Sequence, residues 1–363
     1  MKKWVILLAA ALLLLTVRAR AAELPREVEL PREVERALPR EAEAVLEDVD
    51  LEGDNALAAG LGAIWETLAD KACAVVRRQA RGAVSVLLAA VLCGMAEGAW
   101  PGEKVSPVVS MAGALSVSLT TAGSLEELMG LGVEAMRQLN GFSAVLLPTL
   151  AAATAASGAL SSASVQQAAA MLFADILMRL VNGLLVPLVY LYVGVLTASA
   201  CLPDNRLGTL AEGLKKTVSW LLATALTAFT LYLTAARVIS GGADALTVKV
   251  TRAAISGAVP VVGSIIAEAS ETVLAGAGAL RSVVGLGGVL AVLAACAYPF
   301  LRLAVQYLLY KLAAYLSSLA GPPGLCKLID GLGSAFGLVL GMTGACAMLL
   351  LVSILTFVGA VVP

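Results

Sequence analysis

Apolar residues in this chain come in long blocks, and charged residues fall mostly between the blocks. Ala83–Trp100 is a block spoiled only by Glu97, and Val105–Ala122 follows, rich in small residues. Ser124-x-x-Glu127 has the spacing of a capping box and predicts the start of an amphipathic helix reaching Leu139. Phe142–Ala156 is short and contains Pro148; Gln167–Val181 carries Asp175 and Arg179; Leu184–Ala200 contains Pro187. Thr217–Ala236 is uncharged, Val283–Leu301 contains Pro299, Leu303–Leu319 is amphipathic around Lys311, and Ala335–Val362 is uncharged throughout. Nothing alternates as a membrane barrel requires. Backbone amides in lipid must pair within their own segment, so the blocks predict helices. The fold class expected is therefore all-α and polytopic, with six to eight membrane crossings.

Composition supports lipid as solvent. Of the 363 residues, 60% are hydrophobic and 14% charged, against about 25% charged in a typical soluble domain. Mean hydropathy is +0.90. A folded chain of this size cannot hide that much apolar surface from water.

The N-terminus reads as a signal peptide over residues 1–21. Lys2 and Lys3 precede an apolar stretch, Trp4–Val17, and Ala19-Arg20-Ala21 offers a cleavage pattern. Residues 22–55 form an acidic leader with ELPREV at 23–28 and 29–34 and a looser echo at 38–42. Such composition predicts a solvated, extended or partly helical exported segment. Residues 56–81 form an amphipathic juxtamembrane segment, and 82–363 the membrane domain.

Pro148 and Pro187 lie 39 residues apart, as do Pro260 and Pro299. The offset predicts an internal duplication of 104–203 and 216–320, each unit holding short, proline-broken helices. Paired broken segments point to a site at membrane depth. The stretch after Lys249 adds Pro260 and Gly263, which break it, and Glu268 and Glu271, which share a helical face. Two readings stand for this pair: a polar lining of a path, or a surface amphipathic helix in a loop. Asp175 and Arg179, four apart, form a candidate intramembrane pair.

Other chemistry is thin. The chain has no histidine, which removes His-based catalytic triads and most catalytic zinc sites. The six cysteines, at 73, 93, 201, 296, 326 and 346, include no C-x-x-C and read as small core residues. There is no phosphate-binding G-x-x-x-x-G-K motif and no basic, aromatic-interleaved patch for nucleic acid. Gly285-Leu-Gly-Gly288 lies inside an apolar block and predicts close helix packing. No catalytic, metal or cofactor residues are expected, and no enzymatic activity. The lipid bilayer is the first partner.

One stretch carries a resemblance. Pro-Val-Val-Gly at 260–263, Glu-Thr-Val-Leu at 271–274, G-x-x-G-V at 285–289, Tyr-Pro at 298–299 and Tyr-Lys-Leu-Ala-Ala at 310–314 stand in one run. This run resembles the stage III sporulation protein AE family of endospore-forming Firmicutes, and the likeness extends over about 100–363. The ELPREV leader departs from the family pattern. The resemblance implies a multi-pass protein of the mother-cell membrane around the forespore. It implies partners as well: the other stage III sporulation A operon proteins, including an ATPase and ring-forming subunits, and the stage II sporulation protein Q complex. It implies a permease-like or export-gate core of a channel needed for late forespore gene expression. The competing reading is a non-conducting scaffold for the other components.

Overall fold

The computed structural model describes residues 30–46, 56–99, 105–201, 206–258 and 263–359. Two short helices come first, α1 (Arg32–Arg36) and α2 (Arg40–Leu46). Long ones follow: α3 (Ala56–Ala99), α4 (Val105–Ala156), α5 (Leu160–Leu180), α6 (Val186–Cys201), α7 (Arg206–Ala258), α8 (Gly263–Ser317) and α9 (Pro323–Val358). A single wide π-turn, Val181–Leu185, joins α5 to α6. Six stretches are long and apolar enough to cross a membrane: Ala56–Ala99, Pro107–Ala156, Ser161–Cys201, Leu207–Ala236, Gly276–Ser317 and Pro323–Val358. The protein is an all-α polytopic membrane protein.

These six run up and down. At one end Gly94 meets Ala320, Gly113 meets Leu325, and Gly331 meets Leu196. At the other, Arg281 donates to the Ser157 hydroxyl at 3.2 Å and Gly285 faces Val358.

The innermost pair is α8 and α9. In their most apolar windows 72% and 61% of residues are buried, against 17–28% in the other four. Lipid is as apolar as leucine, so close van der Waals approach, made possible by small residues, must hold such helices together. Gly333 stands against Tyr310, Gly337 against Tyr307 and Gly344 against Phe300. Gly288 admits Leu146 of α4, so the expected packing role of the 285–288 glycines holds. Hydroxyls on the spans bond back along their own helix: Thr227 to Ala223, Thr230 to Leu226 and Thr234 to Thr230, at 2.7–2.9 Å. An exposed threonine thus faces lipid with its donor satisfied.

Several expected breaks are absent. Val105–Ala122, the segment after Ser124 and Phe142–Ala156 are one helix, α4. A capping box works only where the preceding backbone leaves the helix, and nothing at Ala122–Gly123 forces that. Pro148 and Pro299 sit inside continuous helices. Each removes one amide donor, which costs one intrahelical bond but does not end a helix held on both sides by packing. Pro187 is accommodated differently. Its ring would clash with the carbonyl four residues back, and the π-turn Val181–Leu185 widens the helix there. Val283–Leu301 and the following block from Leu303 to Ser317 are likewise both within α8.

The described part of the leader is helical, forming α1 and α2, one of the two expected forms; what differs from a solvated segment is that Val34, Ala42 and Val45 are buried. Residues 1–29, which include the expected signal peptide, lie outside the described residues.

Candidate functional site

Four helix ends converge where α6 and α8 finish and α7 and α9 begin. Between them lies a cleft of about 880 Å³, lined among others by Tyr192, Glu212, Lys215, Lys311, Lys327 and Asp330. Its charged groups are organised. The Lys311 ammonium donates to the Asp330 carboxylate at 2.6 Å and to the Ser334 hydroxyl at 3.0 Å. The Lys215 ammonium, from α7, donates to the same hydroxyl at 2.9 Å. Ser334 in turn bonds the Asp330 carbonyl at 3.1 Å. Tyr192 of α6 donates to the Gly331 carbonyl at 3.1 Å, and Leu196, one turn further along α6, packs where a side chain on Gly331 would stand. Two ammonium groups share one neutral oxygen, with Asp330 and Glu212 as the nearby acids. Such an arrangement is polar and charged, in a molecule rich in alanine, leucine and glycine.

A second polar junction joins α3, α4 and α8 midway along the bundle. Arg302 is buried, and its guanidinium meets the Glu127 carboxylate at 2.7 Å. Arg78 of α3 approaches the same oxygen at 3.2 Å. Gln79 donates its amide to the Arg302 carbonyl at 3.0 Å. Lys71 and Arg302 both lie over the Tyr298 ring, at 5.7 and 5.9 Å. Glu127 thus serves as a tie between helices, not as the cap its spacing predicts.

The residues singled out from sequence fare unevenly. Asp175 and Arg179 do pair, at 2.9 Å, but their side chains are 60% and 80% exposed, so they face outward from the bundle. Pro148, Pro187 and Pro299 stand on three different helical segments, and none of them lines the cleft. Pro260 lies outside the described residues. Gly263 opens α8, and Glu268 and Glu271 follow on its first turns, with side chains outside the described set. The cleft was not predicted as a unit. Lys215, Lys311 and Lys327 are legible only as basic residues at block ends, the pattern expected of a cytoplasmic side.

The comparisons with known proteins agree with this architecture. Residues 46–361 match the family model described as stage III sporulation protein AE. A curated relative, stage III sporulation protein AE of Bacillus subtilis (strain 168), is 24% identical over 234 residues. That alignment covers 64% of this chain and 59% of the relative, so the match spans less than two thirds of the relative's length. No solved structure matches the chain significantly. With the family match running over nearly all of the membrane domain, the chain belongs to the stage III sporulation protein AE family.

Proposed function

We propose that this protein is the membrane-embedded, permease-like subunit of a sporulation channel or secretion-like complex. It sits in the mother-cell membrane around the forespore, works with the other stage III sporulation A proteins, including the ATPase, and with the stage II sporulation protein Q complex, and supports late forespore gene expression. The observation that carries this reading is the charged cleft. Ammonium and carboxylate groups among membrane helices are costly unless they face water or a passing solute, and at these converging helix ends the Lys311 and Asp330 side chains are 28% and 52% exposed. Here Lys215, Lys311 and Asp330 line one volume of about 880 Å³ between four helices.

The scaffold reading has its own support. Leu308, Leu312, Tyr315 and Leu316, with Leu319 in the turn just beyond, present an exposed apolar edge at the end of α8, suited to docking another membrane protein. One experiment separates the two. Lys215→Met with Lys311→Met keeps side-chain bulk and removes both cleft ammonium groups. The conduit reading expects normal protein level, normal co-purification of partners and loss of a late forespore reporter. Loss of partner co-purification would instead support the scaffold, and full reporter activity would reject the cleft as the working site.

A further inference from the structure

Contacts on several sides fix one height along the bundle. Phe300 and Tyr307 of α8 face Gly344 and Gly337 of α9, so Arg302 stands level with the stretch between those glycines, where Leu222 of α7 packs beside Gly341. At the same height Arg302 holds Glu127 of α4 and accepts from Gln79 of α3. Leu222, Glu127 and Gln79 therefore mark one level on three helices. Their outward surfaces around that level differ. Thr217–Ala236 of α7 has no charged residue, and Trp220, Leu231 and Tyr232 are exposed there. At about 1.5 Å per residue this stretch spans about 30 Å, the thickness of bilayer hydrocarbon. Within those limits α3 exposes Asp70, Arg77 and Arg81, and α4 exposes Glu126, Glu134 and Arg137. A charged side chain facing hydrocarbon is costly. Lipid therefore suits the α7 side of the bundle and does not suit the α3–α4 side.

The charges on the α3–α4 face are ordered. The two helices run in opposite directions, so a residue beyond Gln79 on one is level with a residue short of Glu127 on the other. Arg81 is level with Glu126, Arg77 falls between Glu126 and Glu134, and Asp70 is level with Arg137. At each step a charge on one helix stands at the height of an opposite charge on the other. The single chain uses little of this. Glu134 and Arg137 pair with each other at 3.3 Å, whereas Asp70, Arg77, Arg81 and Glu126 have no ion-pair partner among the described residues. On the same exposed side of α4, Gly123 and Gly130 have nothing within 4 Å of an added Cβ. Bare backbone of this kind lets another helix come close.

We infer that the α3–α4 face is the seat of a second copy of this chain, in a dimer whose two-fold axis runs along the bundle. Such an axis leaves every height unchanged and lays α3 of each copy over α4 of the other. Arg81 then meets Glu126 of the second copy, Asp70 meets its Arg137, and Arg77 lies against its Gly130 between the two acids. The reciprocal contacts form at the same time. Both copies keep one orientation in the membrane, α7 stays on the lipid side, and the charges of this face turn from hydrocarbon toward one another. The inference rests on this register and not on what the cleft carries, since none of the residues lining the cleft belongs to α3 or α4.

Co-capture of two differently tagged full-length copies, co-expressed and extracted in mild detergent, tests it. Arg77→Glu with Arg81→Glu sets acid against acid; Glu126→Lys with Glu134→Lys sets base against base. Wild-type copies should capture one another, and either variant alone should do so about tenfold less, because facing like charges repel. Copies of the first variant co-expressed with copies of the second should recover capture, since each α3 then meets an α4 of opposite sign. Cys73 lies on α3 between Asp70 and Arg77 and is exposed in the single chain. Water remains between charged faces, so a maleimide should reach it in every case, and faster in either variant than in the wild type. Cys296 and Cys346, both buried, should stay blocked, which shows an intact core. Should the first variant fail that control, Arg77→Gln with Arg81→Gln takes its place and should lower capture by a smaller factor. Wild-type copies that stay single, whether alone or held by a different protein, would overturn the proposal. So would undiminished capture by both variants, or a mixed pair that does not recover.

Discussion

Removing Glu127 should damage this protein more than removing its buried partner Arg302. The Arg302 side chain is 10% exposed and Glu127 is 47% exposed. Glu127→Ala leaves a guanidinium deep among α3, α4 and α8 with no carboxylate. An uncompensated buried charge of this kind costs about 3 kcal/mol. Arg302→Met leaves a carboxylate that water reaches and that still has Arg78 at 3.2 Å. Methionine also keeps most of the packing of the arginine stem. Loss of the half-exposed pair and of the contact with Tyr298 then costs only about 1 kcal/mol. The double variant should resemble Arg302→Met, because the stranded cation is gone. Unfolding in mixed micelles, followed by denaturant titration, measures all three. If Arg302→Met proves as destabilising as Glu127→Ala, or the double variant is worse than either, the burial asymmetry is not what governs this junction.

Four further outcomes follow from the packing. Gly132→Leu should destabilise by about 1–3 kcal/mol, since a Cβ there would stand 2.6 Å from Val339 Cγ1. Gly141, also in α4, has nothing within 4 Å of an added Cβ, so Gly141→Ala should be neutral or stabilise by up to about 1 kcal/mol in the same titration. Gln166 is 1% exposed and its amide finds no hydrogen-bond partner among the described residues; Gln166→Met should stabilise by about 1–2 kcal/mol, and a loss of stability would mean that the amide is bonded in the membrane. Cys73 is exposed while Cys296 and Cys346 are buried, so a maleimide should label Cys73 in the folded protein and reach the other two only after denaturation.

Lipid immersion, helical class and the close packing at Gly285–Gly288 were legible because they follow from composition and local spacing. The joints between blocks were not. Ser124-x-x-Glu127 has the letters of a helix start, yet Glu127 is claimed by Arg302, a residue 175 positions away. Proline was over-read for a related reason. Pro148 and Pro299 cost one amide bond each, and long helices braced by neighbours absorb that loss. The leader was under-read: its acids and arginines dominate composition, while its fold rests on the few apolar positions Val34, Ala42 and Val45. The cleft draws on four helix ends, and the Lys215–Ser334 contact joins residues 119 positions apart. No local pattern announces such a meeting.

Where this molecule can move follows from where it is packed. Tyr310, Tyr307 and Phe300 of α8 press against Gly333, Gly337 and Gly344 of α9, so aromatic rings lie against bare backbone along the central pair. Interlocked contacts of this sort have two arrangements at best and do not slide gradually. The cleft, by contrast, has α8 and α9 on one side and α6 and α7 on the other. Polar contacts through Ser334 and Tyr192 hold its walls together, each weaker and more easily exchanged for water than a buried ring. The π-turn at Val181–Leu185 lies on the outer wall, at the base of α6, where a helix is already wider than its ideal pitch. On the proposed conduit reading, opening is expected at this polar seam rather than between α8 and α9, because the Ser334 and Tyr192 contacts are more easily exchanged for water than the ring-on-backbone contacts of the central pair.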